Sequence, residues 1–194
     1  LNSPDTGCRL VFSEADGMSG LTVDFYGGYL LVQFTSLALF LHRDAILSAL
    51  EAEVSPRGIW LRTPKGMRAA EGLDVVDGLM AGQEPPRPLF IDEFGVQYGV
   101  DVQQGQKTGC YLDQRDNRLA ASRYLKGAKV LDAFCFSGGF GITALKLGGA
   151  ASVLGIDSSE SALVLANANA ELNGVADRCQ WQREDVRPAL ETMA

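Results

Sequence analysis

The feature that most constrains the fold is a strand–helix alternation in the second half of the chain. Lys129-Val-Leu-Asp-Ala-Phe134 reads as a short buried strand, and Phe140–Leu147 as a helix ended by Gly148-Gly149. Ala151-Ser-Val-Leu-Gly-Ile-Asp157 reads as a second strand. Ser158 or Ser159 caps a helix over Glu160–Asn173 that stops at Gly174, and Cys179-Gln-Trp-Gln-Arg183 is a third strand. Another helix, Asn117–Leu125, comes before the first of these strands. Strands that alternate with helices run parallel and are joined by right-handed crossovers. The expected class is therefore α/β, with a partial three-stranded parallel sheet.

The first hundred residues follow a different grammar. Arg9–Ser13 and Leu21–Tyr26 read as strands, and Gly27-Gly28 as the hairpin turn into Tyr29–Phe34. From Leu37 to about Val54 the period becomes helical, with Leu39, Ile46, Leu47 and Leu50 near one face and Ser55-Pro56 as the stop. Gly58–Arg62 is a further strand. Residues 64–88 are rich in Gly and Pro and read as loop, and Leu89–Val102 reads as a hairpin turning at Glu93 to Gly95. The expectation is a small α+β domain over 1–102 and an α/β domain over 103–194.

Charge bounds the partners. The net charge is −7, and the deficit is carried by residues 1–100, with 13 acids and 7 bases, against 11 and 10 in the remainder. Contact with a nucleic acid would need local basic patches, because the overall field is repulsive. Arg57, Arg62, Lys65 and Arg68 form one such group. Arg115, Arg118, Arg123, Lys126 and Lys129 form another. Either could meet phosphates, and either could be solvated surface charge. No apolar run reaches the length of a membrane span. The four cysteines are widely spaced, without a Cys-x-x-Cys pair, which argues for reduced thiols in a cytoplasmic protein and against a metal site.

In an open parallel sheet, ligands bind beyond the carboxyl ends of the strands. Asp132, Asp157 and Asp185 stand at those ends, and Ser137-Gly-Gly-Phe-Gly141 links the first strand to its helix. Asp157 lies one strand–helix–strand unit after Asp132, where a carboxylate can accept two hydrogen bonds from ribose hydroxyls. The loop does not match Gly-x-Gly-x-x-Gly, and Asp132 would repel a pyrophosphate. A ligand carrying an ammonium and a sulfonium suits it better. These points favour S-adenosylmethionine over a nicotinamide dinucleotide. Upstream, Gln106–Arg118 crowds polar side chains beside Tyr111 and Leu112, as a lid over such a pocket would.

Gln106-Lys-Thr-Gly109, Leu112-Asp-Gln-Arg-Asp-Asn-Arg118 and Val130-Leu-Asp-Ala-Phe-Cys-Phe-Ser-Gly-Gly-Phe140 together resemble the RlmI-like bacterial 23S ribosomal RNA cytosine-C5 methyltransferases. Val153–Ser159, Asn167–Gly174, Arg9–Gly17 and Gly20–Gly27 extend the resemblance over nearly the whole chain. It implies a Rossmann-like class I methyltransferase domain preceded by a central α+β domain, with S-adenosylmethionine as cofactor and 23S ribosomal RNA as partner. By that pattern Lys107, Thr108, Gln114, Arg115 and Arg118 border the cofactor. Asp132, Phe134, Ser137, Gly138, Gly139 and Phe140 hold its methionine end. Asp157 and Ser158 hold the ribose, and Asp185 lies by the adenine amino group. Arg62, Lys65 and Arg68 are the candidate RNA contacts.

Against that family the chain is expected to lack a front RNA-binding domain and the rear half of the catalytic domain. Cytosine-C5 chemistry needs a Cys thiolate that adds to C6 of an extruded base. None of the four cysteines is clearly placed for this; Cys135 reads as a core residue behind the glycine loop. The catalytic residues are therefore expected beyond Ala194. A guanine-N7 methyltransferase of the same superfamily and a non-catalytic cofactor- or RNA-binding fragment are the alternatives, with an NAD-dependent enzyme more distant. A homodimer is an admissible assembly.

Overall fold

The computed structural model describes residues 6–64, 66–103 and 110–193. Two compact units emerge: one comprises the chain to Ile91 with Val100–Leu112, the other Asp92–Gly99 with Asp113–Ala194.

The first unit is built on a five-stranded sheet in sequential order: β1 (Gly7–Phe12), β2 (Leu21–Tyr26), β3 (Tyr29–Phe34), β4 (Gly58–Leu61) and β5 (Gly78–Gly82). Its pairs are antiparallel except β3 with β4, which run parallel. A parallel neighbour needs a crossover. The helices α1 (Leu37–Phe40) and α2 (Arg43–Val54) supply it, and Ile46, Leu47, Leu50 and Val54 pack on a core that includes Val23, Leu30, Val32 and Ile59. The single expected helix is thus two, separated by Leu41 and His42. On the sheet, Asp24 is fully buried and is held by a two-pronged bond from Arg9, at 2.7 and 2.9 Å.

Residues 64–88 differ from the expected loop, for they contain α3 (Met67–Glu71) and the strand β5. Their glycines serve close packing as well as turning. A Cβ on Gly82 would lie 2.3 Å from the Arg57 carbonyl oxygen, and one on Gly58 would lie 1.9 Å from that of Gln83. Only bare backbones can pair that tightly, so here the glycine signal marks a strand.

The hairpin β6 (Leu89–Glu93) and β7 (Val96–Val100) turns at Phe94-Gly95, both with positive φ. The rest of the second unit is α4 (Arg115–Ser122), β8 (Lys129–Ala133), α5 (Gly139–Lys146), β9 (Ser152–Asp157), α6 (Glu160–Leu172), β10 (Cys179–Arg183) and α7 (Val186–Met193). The three strands form a parallel sheet in the order β10-β9-β8. The expected three-stranded Rossmann-like sheet is present, while α7 was not foreseen. Ala162, Ala166 and Ala170 on α6 are buried, and such short side chains let a helix lie close to its sheet. Ile142 and Ile156 are fully buried, each worth about 1.5–3 kcal/mol.

Candidate functional site

Parallel register brings the carboxyl ends of the three strands of the second unit to one edge. Ala133 pairs with Ile156, and Arg183 with Asp157. The segment 134–138 runs across this end from β8 to α5. It carries positive φ at Phe134 (59°), Phe136 (47°) and Gly138 (77°). A left-handed conformation at a residue with a side chain costs about 1–3 kcal/mol, so its surroundings must hold it.

Asp157 provides much of that hold. Its Oδ2 accepts the Phe136 N–H at 2.9 Å, and its Oδ1 accepts the Ser159 N–H at 2.9 Å. One carboxylate thereby ties the loop after β8 to the start of α6. Each oxygen has two lone pairs, so a second acceptor position remains on both. Ser159, not Ser158, caps α6, accepting the Ala162 N–H through its hydroxyl at 3.3 Å, and Ser158 is exposed.

Asp132 is buried, and its Oδ2 accepts the Gly141 N–H in the first turn of α5 at 2.8 Å. Burial pushes its carboxyl up to about 6, opposed by the Gly141 bond and reinforced by the negative charge of Asp157. A Cβ on Gly141 would meet Val153 at 2.7 Å and Asp132 at 3.1 Å, so this glycine lets the helix sit directly over β8 and β9. Gly138 does the same against the Trp181 ring, at 2.7 Å.

Arg118 is also buried. Its Nη2 and Nε meet Glu93 Oε1 and Oε2 at 2.7 and 3.1 Å, and its guanidinium lies 5.8 Å from the centre of the Tyr98 ring. A Cβ on Gly139 would come within 3.2 Å of the Arg118 stem. Tyr98 continues this support: its hydroxyl donates to the Gly139 carbonyl at 3.1 Å and lies 2.6 Å from Thr143 Oγ1.

The remaining candidates lie around this frame. Phe134 is 71% exposed and Phe140 38%, offering apolar faces at the strand ends. The Ser137 carbonyl accepts from Asn169, and the exposed Asp185 accepts the Arg187 N–H at 3.1 Å. Gln114 bonds Asn117, and Arg115 pairs with Asp116 and faces the Phe94 ring. Lys107 and Thr108 lie outside the described residues, as does Lys65. In the first unit, Arg62 donates to the Val102 carbonyl at 3.4 Å and Arg68 pairs with Asp77 at 3.0 Å.

Three residues that support the loop had not been singled out: Glu93, Tyr98 and Asn169. The usable signal was the pair Asn169 and Asn173, two amides four apart on a helix otherwise rich in Ala and Leu.

The donor set suits S-adenosylmethionine. A half-buried carboxylate with spare lone pairs matches a ribose diol, exposed aromatic faces match apolar parts of a ligand, and a buried carboxylate lies by the helix start. Among the described residues, no group of three His, Cys, Asp or Glu side chains could hold a metal. No described helix is long and apolar enough to cross a membrane.

Comparison with known proteins gives a consistent result. Residues 73–181 match the family described as S-adenosylmethionine-dependent methyltransferase. Ribosomal RNA large subunit methyltransferase I of Aeromonas hydrophila is 45% identical over 183 residues, which are 93% of this chain and 46% of that protein. The chain thus spans about half the length of this relative. A Streptococcus mutans structure assigned as a SAM-dependent methyltransferase superposes with a TM-score of 0.85 at 27% identity, over 98% of this chain and 49% of that one. Another methyltransferase structure, solved in complex with SAH, also has a TM-score of 0.85, at 26% identity and with the same coverage.

Proposed function

The chain belongs to the S-adenosylmethionine-dependent methyltransferase family, and from that premise we propose that it is the donor-binding part of a 23S ribosomal RNA cytosine-C5 methyltransferase. One observation carries the reading. Asp157 ends the second parallel strand with each carboxylate oxygen already oriented by a backbone N–H, and with acceptor capacity left for two ribose hydroxyls. The ribosomal RNA substrate rests on the name of the 45% identical relative.

In this reading residues 1–102 form an α+β domain and 103–194 the donor-binding domain, with Asp92–Gly99 grouped with the latter. Asp157 and Ser158 take the ribose, and Asp185 takes the adenine amino group. Phe134, Ser137, Gly138, Gly139 and Phe140 enclose the methionine end, and Asp132 faces its ammonium while anchoring the Gly141 N–H. Lys107, Thr108, Gln114, Arg115 and Arg118 border the pocket, with Arg118 acting from behind the start of α5. Bound S-adenosylmethionine supplies an electrophilic methyl group. The chain's own groups orient it and keep water from it.

Burial of Cys135 disfavours its thiolate, which argues against this residue as the nucleophile for cytosine C6. That assigns the methyl-transfer chemistry to residues other than this loop. Arg62, Lys65 and Arg68 are the proposed RNA contacts, and a cytoplasmic homodimer completes the proposal.

Isothermal calorimetry with S-adenosylhomocysteine tests it. The chain should bind that ligand and not NAD. Asp157→Ala should weaken binding by about 1–3 kcal/mol, the cost of unpairing a buried hydrogen-bonding partner. A full-length chain that ignores S-adenosylhomocysteine would remove the basis of this reading.

A further inference from the structure

The strand β7 has β6 on one side. Gln97 and Gly99 are two residues apart, so their backbone groups point toward the same edge. Both meet side-chain amides at the end of α6, Asn169 within the helix and Asn173 capping it. Asn173 Oδ1 accepts the Gln97 N–H at 3.0 Å, and its Nδ2 donates to the Gln97 carbonyl at 2.6 Å. Asn169 Oδ1 accepts the Gly99 N–H at 2.8 Å. Two amides one helical turn apart thus satisfy the edge as a neighbouring strand would, and they close it to further pairing.

Asn169 does one thing that Asn173 does not. Its Nδ2 donates to the Ser137 carbonyl at 3.2 Å, inside the loop that crosses the strand ends. A backbone N–H can only donate and a carbonyl can only accept, so both neighbours agree on a single orientation of this amide. Asn169 is 1% exposed, and its bond to Gly99 is buried. The Ser137 carbonyl shares a peptide plane with the Gly138 N–H, which donates to the Cys135 carbonyl at 2.8 Å. That plane is fixed at both ends, and positive φ occurs at Phe136, one residue before it, and at Gly138.

We propose that Asn169 is a positioning residue for methyl-donor binding, its amide fixing the Ser137–Gly138 peptide in the loop that receives the donor. The proposal rests on the donor-site reading above. Its chemistry separates it from a general packing role. Asn169→Asp keeps an acceptor for Gly99 but sets a carboxylate oxygen against the Ser137 carbonyl. Asn173→Asp makes the same exchange one turn on, where the carbonyls facing it belong to Gln97 and to the Asn169 backbone, not to the loop.

The test uses the whole chain, with S-adenosylhomocysteine affinity from calorimetry and thermal unfolding measured in parallel. Asn169→Asp should bind at least tenfold more weakly than wild type at pH 8, and the gap to wild type at the same pH should narrow as the pH falls and the new carboxyl gains a proton to donate, a comparison in which the protonation of Asp132 is common to both proteins. Asn173→Asp should lose thermal stability but keep its affinity within about twofold. Wild-type affinity in Asn169→Asp, or an equal loss in Asn173→Asp, overturns the proposal. If Asn169→Asp does not fold, Asn169→Ser, which cannot reach Ser137, should show the same tenfold loss. Failure of both Asn169 variants to fold makes the residue a stability element and defeats the proposal. Absence of binding by the wild-type chain instead defeats the donor-site reading itself.

Discussion

The guanidinium of Arg118 and the carboxylate of Glu93 form a two-pronged ion pair with both side chains no more than 5% exposed. Neither charge has water to fall back on. Removing one partner takes from the other its buried counter-charge, at a cost of about 3–5 kcal/mol. Glu93→Gln and Arg118→Met should each lower the urea midpoint accordingly, followed by circular dichroism. The double variant Glu93→Leu/Arg118→Met removes both charges and should recover most of that loss. Moderate salt should change the wild-type midpoint little through this pair, since buried charges are poorly screened.

Asp132 gives the second unit a pH dependence of unusual sign for a carboxylate. Its folded-state value is about 6, against an ordinary 3.8, because burial disfavours the charged form. The folded chain therefore holds this proton more tightly than the unfolded chain does. The resulting stability is fully present below about pH 3.8 and is lost as the pH rises through about 6. Roughly two pH units correspond to about 3 kcal/mol at most. Asp132→Asn, which keeps an acceptor for Gly141, should match the wild type near pH 4 and exceed its stability at pH 7. Urea titrations at a series of pH values would measure the difference. The same variant should bind S-adenosylhomocysteine more weakly, as expected where an ionised carboxylate is kept at a cost to stability for the sake of the ligand's ammonium group.

What could be read from the chain alone was whatever depends on local period and on strand ends. Asp132 could be placed because its apolar run leads into a glycine loop, and Asp157 because its apolar run ends in Asp just before the serine cap of a helix. The α1–α2 break at Leu41–His42 was not legible, since the helical period continues through it. Strand β5 was hidden because Gly78 and Gly82 look like turn residues until Gly58 and Arg57 are seen against Gly82. Glu93 read as part of a turn, and only the fold reveals that it is the buried counter-charge to Arg118, 25 residues on. Asn169 and Asn173 bond partners more than 30 residues away, and no local pattern encodes such a partner.

Cys135 should be inert in the native protein. Burial is the main cause of its rise to about 12, with Asp132 and Asp157 adding to it. At pH 8 the thiolate fraction is then on the order of 10⁻⁴, and the thiolate is the reactive form. Iodoacetamide should label Cys135 in the urea-unfolded chain far faster than in the folded chain, as read by peptide mass spectrometry. Cys135→Ala should bind S-adenosylhomocysteine within about threefold of wild type. Fast native labelling would mean that the thiol is accessible and ionised, and would reopen its candidacy as a nucleophile.

The Trp181 ring lies against Gly155, its neighbour across the β9–β10 pair, and a Cβ there would come within 2.4 Å of the ring carbons Cε3 and Cζ3. The same Cβ would lie 3.1 Å from the Cys135 sulfur, so it is crowded on that side as well. Gly155→Ala should cost about 1–3 kcal/mol through this overpacking. Trp181 also buries an indole Nε1 that has no hydrogen-bond partner among the described residues. Trp181→Phe removes that unsatisfied donor together with the ring atoms nearest Gly155. The loss of contact area is thus offset, and the substitution should shift stability by less than about 1 kcal/mol. The two changes should couple, because the smaller ring makes room for the added methyl. In a Trp181→Phe background, Gly155→Ala should cost about half or less of what it costs alone, as measured by a double-mutant cycle of urea midpoints. Additive losses would mean that the clash is with Cys135 and the β9 backbone, not with the indole.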